Sequence, residues 1–250
     1  MVDRQSRSSR LRCPCRENQK HHDRHQAREP ATPARTAVAT KRERDPVAAK
    51  QALIAAAVAE FATKGFAGAR VDEIAANAGV NKQLVYHYFD SKQGLYLVAL
   101  ESVYAEIREK EQKLTLDALE PLEAMKQLVA FSFDYLAEHP EFIALLADEN
   151  RNHGAHLRES ERLQKMHSPF IEMLEATLER GVAAGVFRPD FDAINLYISI
   201  AGISYFFFSN NHTLSAIFGK PLDARGALLQ RRRHVIEFAL NALRPDKAAA

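Results

Sequence analysis

The chain has 250 residues, 46% of them hydrophobic, and a formal net charge of +2, a balance that permits a globular core. No apolar run approaches the roughly 18 residues that span a bilayer. The start, with Arg4, Arg7, Arg10 and Arg12, lacks the apolar stretch of a secretory signal.

The charge is uneven. Residues 1–44 hold 12 Lys and Arg against 5 Asp and Glu, a net of +7, which leaves −5 for the rest. That segment has no aromatic residue and no apolar periodicity, so it is expected to be a disordered basic arm. Cys13 and Cys15 are the only cysteines. With His21, His22 and His25 they match no zinc spacing. Disulfides therefore cannot staple the body, which suits a reducing cytoplasm.

Order is expected from Asp45-Pro46, an N-cap followed by a proline set for the first helical position. Ile54, Val58 and Phe61 recur at helical spacing, and Gly65 closes the helix. Val71, Ile74 and Ala75 carry a short second helix that stops at Gly79. Asn81 caps a third, with Val85 and Phe89 buried. Ser91 caps a fourth, running from Lys92 through Leu95, Val98 and Ala99 towards Glu111. Further helices are expected from Pro121 to His139, from Pro140 through Phe142, Leu145 and Leu146, and through Ile171, Leu174, Leu178 and Val182 to Gly185. The next is capped by Asp190 and runs through Ile194, Ile198, Gly202 and Tyr205. Ala227–Leu243 forms the last. No stretch alternates as a strand would. The fold class is all-α.

The three helices of residues 46–90, with a tight turn at Gly79, have the layout of a helix-turn-helix unit. The third reads Asn81-Lys82-Gln83-Leu84-Val85-Tyr86-His87-Tyr88-Phe89. Its polar, cationic N-terminal end suits a helix whose first residues meet base edges in the major groove. Asn and Gln pair with adenine, and Lys reaches guanine. Tyr86, His87 and Tyr88 can donate to phosphates, which position the protein without encoding sequence. Lys92 is expected to join a helix N-terminus in holding a phosphate. Alternatively, the aromatic run is simply core of a small helical domain, as Val85 and Phe89 are taken to be. A helical enzyme or partner-binding scaffold is the rival for the whole chain, but no HExxH, glycine-rich phosphate loop or nucleophile–base pair stands out. No cofactor is indicated.

The run Phe61-Ala62-Thr63-Lys64-Gly65-Phe66, then Ile74-Ala75, Ala78-Gly79-Val80, Leu84 to Phe89 and Ser91-Lys92 resembles the TetR family of bacterial transcriptional regulators. The resemblance implies a homodimer with a DNA-binding domain, placed at residues 45–94, and an effector-binding and dimerisation domain, placed at 95–245. Its partners would be a near-palindromic operator and a small-molecule effector that releases the protein from DNA. Two positions depart from the usual pattern, Asn81 for Ser and Leu84 for Thr. Leu84 would then meet a thymine methyl. Arg70 stands where a small hydroxyl residue is common and is expected to bind phosphate.

The C-terminal half carries most of the aromatics. Tyr104, Phe131, Tyr135, Phe142, Phe170 and Tyr205 are candidates to line an effector pocket, with Glu149 and His153 as polar contacts; ordinary core packing is the plainer reading. On one continuous helix Glu149, His153 and His156 would share a face. Such a face can hold a metal or a carboxylate effector, or merely form a capped surface or a polar contact across the dimer. The two last long helices supply the expected dimer interface through Leu196, Ile200, Ile203, Val235, Ile236, Ala239 and Leu243.

Overall fold

The structure, a computed structural model, describes residues 45–166 and 168–245, and excludes the side chains of Ser168, Pro169 and Phe170. The basic segment 1–44, with Cys13, Cys15 and its histidines, and the Phe170 side chain expected in a pocket both lie outside the described residues.

Every regular element among the described residues is helical. In order they are α1 (Pro46–Gly68), α2 (Val71–Asn77), α3 (Lys82–Phe89), α4 (Lys92–Gln112), α5 (Pro121–Glu138) and α6 (Pro140–Arg151). After a 3₁₀ turn at Leu157–Glu159 come α7 (Glu161–Lys165), α8 (Ser168–Ala183), α9 (Ala193–Ser209), α10 (Asn211–Phe218) and α11 (Arg225–Leu243). The caps follow simple chemistry. Asp45, Asn81, Ser91 and Ser160 each accept a hydrogen bond from a first-turn amide, satisfying a donor that the helix cannot. The cap of α9 is Asp192 rather than the expected Asp190; Asp192 accepts from the Ile194 amide at 2.8 Å. Asp190 instead takes φ +78° in the preceding turn.

α1 packs chiefly on α4 and α6, whereas α5 lies among α8, α9 and α11. Two apolar cores result. One joins Leu53, Phe61, Ile74, Val85 and Phe89 to Leu95, Tyr96, Leu100, Phe142 and Leu145, so the core of the first three helices runs on into α4 and α6. The other gathers Met125, Leu128, Phe133, Leu174, Leu196, Ile200, Val235 and Leu243. Phe208 packs against both. The long α4–α5 connection is tied down by Arg180, whose guanidinium donates to the carbonyls of Leu116, Asp117 and Leu119 at 3.0–3.1 Å.

Candidate nucleic-acid interface and the core behind it

The turn between α2 and α3 is made by Gly79 at φ +65°, a conformation that costs glycine nothing. Buried Ile74, Ala75 and Val85 fix the two helices against α1. α3 buries Val85 and Phe89 and leaves Asn81, Lys82, Gln83, Tyr86 and His87 exposed, with Tyr86 at 45%.

The expected contact residues are not equally free. Asn81 Oδ1 accepts from the Gln83 amide at 2.9 Å, so its carbonyl oxygen is spent on capping and its side-chain NH₂ is what remains for a base. Lys82 Nζ lies 2.7 Å from Asp72, and that hydrogen bond raises its pKa. Arg70 reaches the same carboxylate at 4.0 Å. The two cations thus stand together on the outer surface around Asp72. Leu84 and Tyr88 are half-buried and pack against the core. Tyr88 sits beside the His87 ring, 5.1 Å between centroids. Lys92 lies 5.0 Å over the Phe66 ring and donates to the Ala67 carbonyl at 3.3 Å. Its ammonium is therefore already engaged with the end of α1.

That end is tightly constrained. Gly65 has φ +69° and ψ 172°, a region essentially closed to residues with a Cβ. A Cβ there would also stand 2.8 Å from Asp148 Oδ1. Asp148, on α6, accepts from the Phe66 amide at 2.8 Å, from the buried Tyr96 hydroxyl at 3.1 Å and from Arg151 at 2.7 Å. Burial pushes its pKa up, but these three donors outweigh burial and hold the carboxyl below its ordinary range. Next to it, the His156 ring packs 4.8 Å from both Phe66 and Tyr96. On the other side, buried Glu60 accepts from the Arg70 amide at 3.2 Å, and Lys64 bridges Glu60 and Glu73. Two polar clusters therefore flank the end of α1, one joining it to α6 and the other to the start of α2. Asp148 and Tyr96 were not expected from the sequence. An acceptor for a main-chain amide 82 positions away leaves no pattern in it.

The expected face of Glu149, His153 and His156 does not form. α6 stops at Arg151, and His153 and Gly154 both take positive φ, +57° and +68°, which folds the chain back. Glu149 is buried and accepts from the amides of His156 and Leu157 and pairs with His156 Nδ1 at 2.9 Å, while His153 is exposed. Glu149 thus caps its own loop. Among the described residues no group of three or more His, Cys, Asp or Glu is gathered to hold a metal.

Of the expected pocket residues, Tyr104, Tyr135 and Phe142 form one buried aromatic group, with ring centroids 5.2 and 5.7 Å from Phe142. Phe131 adjoins Tyr135 at 6.0 Å, and Tyr205 packs at the edge of the same core. Burial, and then Tyr197, push the Tyr104 hydroxyl up to about 12. The described cavities are lined by other residues. One of about 670 Å³ lies between α9, α10 and α11, and one of about 520 Å³ lies among α5, α6, α9, α10 and α11.

The expected interface residues lie on the right helices but face inward. Leu196, Ile200, Val235, Ile236, Ala239 and Leu243 are buried in the protomer's own core and Ile203 packs against it. The apolar side chains that α9 and α11 leave in solvent are Ile194, Ile198, Phe206, Leu229 and Phe238, each 55–58% exposed. The run Arg231-Arg232-Arg233 also splits. Arg232 grips Asp134 through two bonds of 2.6 and 2.7 Å, and Arg231 turns towards α9 to donate to the Ile203 carbonyl at 3.2 Å.

Residues 53–99 match the profile of bacterial regulatory proteins of the tetR family, and residues 121–238 match the tetracyclin repressor-like C-terminal domain. The HTH-type transcriptional repressor NicS of Pseudomonas putida is 38% identical over 192 residues, covering 77% of this chain and 91% of that protein. The HTH-type transcriptional repressor SCO4008 of Streptomyces coelicolor is 35% identical, over 63% of this chain and 79% of that protein. In fold, the putative transcriptional regulator SCO4942 of Streptomyces coelicolor superimposes with a TM-score of 0.60 at 25% identity, over 79% of this chain and 99% of that one. No helix among the described residues is long and apolar enough to cross a membrane. The chain belongs to the TetR family of bacterial transcriptional regulators.

Proposed function

We propose that this regulator is a homodimeric repressor that binds a near-palindromic operator and is released by a small-molecule effector. One observation carries the reading. α3 has a fully buried Val85–Phe89 edge and an opposite edge on which Asn81, Lys82, Gln83, Tyr86 and His87 are exposed together. A helix so divided is held rigidly while its polar N-terminal end is free for base edges. Arg70 and Lys82 then serve the flanking phosphates or a guanine, and Tyr86 and His87 the backbone. Leu84, half-buried, offers at most its outer methyls to a thymine. Lys92 acts on DNA mainly by fixing the end of α1.

The exposed stripe Ile194, Ile198 and Phe238 supports pairing of two protomers through α9 and α11, which sets two copies of α3 about 34–36 Å apart, one turn of DNA. The aromatic group around Tyr104 shares one core with Val85 and Phe89 of α3, which supports coupling of effector sensing to the recognition helix. Occupancy there would favour a state whose recognition helices are wrongly spaced. Such a protein acts on DNA in the cytoplasm and needs no catalytic centre. The similarity to NicS and SCO4008, both described as repressors, favours repression over activation.

Selection of bound sequences from a random DNA pool, followed by titration of the selected duplex at several salt concentrations, tests the reading. A near-palindromic site with steep salt dependence is expected. Failure to enrich any sequence, with a monomer in sedimentation, would overturn it.

A further inference from the structure

The cleft between α9, α10 and α11 has a volume of about 670 Å³, within the range of small-molecule sites. Its walls are apolar, with Phe207, Leu214, Phe218 and Leu222 prominent. One charged group stands in this apolar surface. The Arg231 guanidinium lies 5.5 Å over the Phe207 ring and spends one Nη2 bond on the Ile203 carbonyl. Its Nε is buried and has no hydrogen-bond acceptor. Its neighbour Arg232 has a carboxylate in Asp134, whereas Arg231 has no ion pair among the described residues. Burial lowers its pKa without a compensating anion.

A half-buried cation whose Nε lacks an acceptor and which has no counter-ion is costly, and an incoming anion recovers part of that cost. A guanidinium fork is also the side chain best shaped for a carboxylate. Gln230 and His234 line the same cleft, and His234, three residues after Arg231 on α11, shares its helix face. The remainder of the ligand must match the apolar walls. We propose that this cleft binds a small amphipathic monocarboxylate, its carboxylate on Arg231 and its hydrocarbon part against Phe207, Phe218 and Leu222. The site is distinct from the aromatic group around Tyr104, and it goes beyond the repressor reading without resting on it.

Calorimetric titration of the full-length protein with octanoate, octan-1-ol and acetate tests this. Octanoate is expected to bind at least about tenfold more tightly than octan-1-ol, since a hydrogen-bonded charge contributes roughly 1.5–3 kcal/mol, or about ten- to a hundredfold. It should exceed acetate by at least as much, because acetate lacks the tail. Arg231→Met should abolish the preference for octanoate over octan-1-ol, and Ala227→Phe, which fills the cleft, should weaken both. Helical circular dichroism verifies that each variant folds. Equal binding of octanoate and octan-1-ol to the unmodified protein overturns the proposal without any variant. So does an Arg231→Met protein that keeps the preference. If neither compound binds and Arg231→Met weakens self-association about tenfold or more, the cation serves a second copy of the chain and the carboxylate site is refuted.

Discussion

Helices α3 and α9 show two ways in which apolar residues can be arranged. α3 buries Val85 and Phe89 on one edge and presents polar or amphipathic side chains on the other. α9 is apolar nearly all round, burying Leu196, Ile200 and Phe207 while exposing Ile194, Ile198 and Phe206. A one-sided helix states its own orientation. An all-round apolar helix serves two partners and does not say which face belongs to which. That is why the buried and exposed edges of α3 were legible in the sequence, and why the residues expected at the dimer interface lie in the protomer's own core.

The sharpest way to break this comparison is to charge the outer face of α9. Ile198→Glu should leave the protomer folded but drive it to monomer in sedimentation, with operator affinity reduced by about 10²–10⁴, the loss expected when two linked half-sites become one. The inner face should respond oppositely. Ile200→Ala should lower unfolding free energy by about 2–5 kcal/mol in denaturant melts, since a buried side chain is lost and a cavity left, while dimerisation per folded molecule holds. If Ile198→Glu unfolds the chain instead, the two faces have been assigned the wrong way round.

A smaller effect is expected at the joint between the two regions. Asp148→Asn should cost about 1–3 kcal/mol, as buried charge-assisted hydrogen bonds do. The carboxyl is held below its ordinary range. The stability it adds is therefore present above about pH 4, the unfolded value, and lost as pH falls through the depressed folded value. Denaturant melts of both proteins should differ by a constant amount above about pH 5 and converge in stronger acid. A gap that widens on acidification would show that the carboxyl is not stabilised as an anion. The smallest effect belongs to the surface of α3. Lys82→Ala should leave the melting temperature unchanged, weaken operator binding about tenfold and reduce the salt slope by about one. A fall in melting temperature instead would place Lys82 in the fold rather than at DNA.

What sequence could and could not convey follows from the range of each interaction. The caps at Asp45, Asn81 and Ser91 act within three residues, so they were readable, as was the turn at Gly79. The Glu149–His153–His156 face assumed a helix continuing past Arg151; Gly154 was the local signal against it. The short α10 was not expected: its first three residues, Asn211 to Thr213, are polar, and only Leu214, Ala216, Ile217 and Phe218 behind them are apolar. Arg231 and Arg232 look alike in sequence and differ only because α5 brings Asp134 to one of them.

The bond between Asp148 and the Phe66 amide has a consequence for exchanging parts among relatives. The carboxylate meets main chain, so any residue but proline at position 66 can supply that bond. What the joint demands is a glycine at position 65, for its backbone angles and its missing Cβ. A foreign DNA-binding unit grafted before this C-terminal domain should therefore couple to it if it carries any residue but proline at position 66 and keeps that glycine. A graft carrying any other residue there would still read its operator, but without the hydrogen bond that joins it to α6.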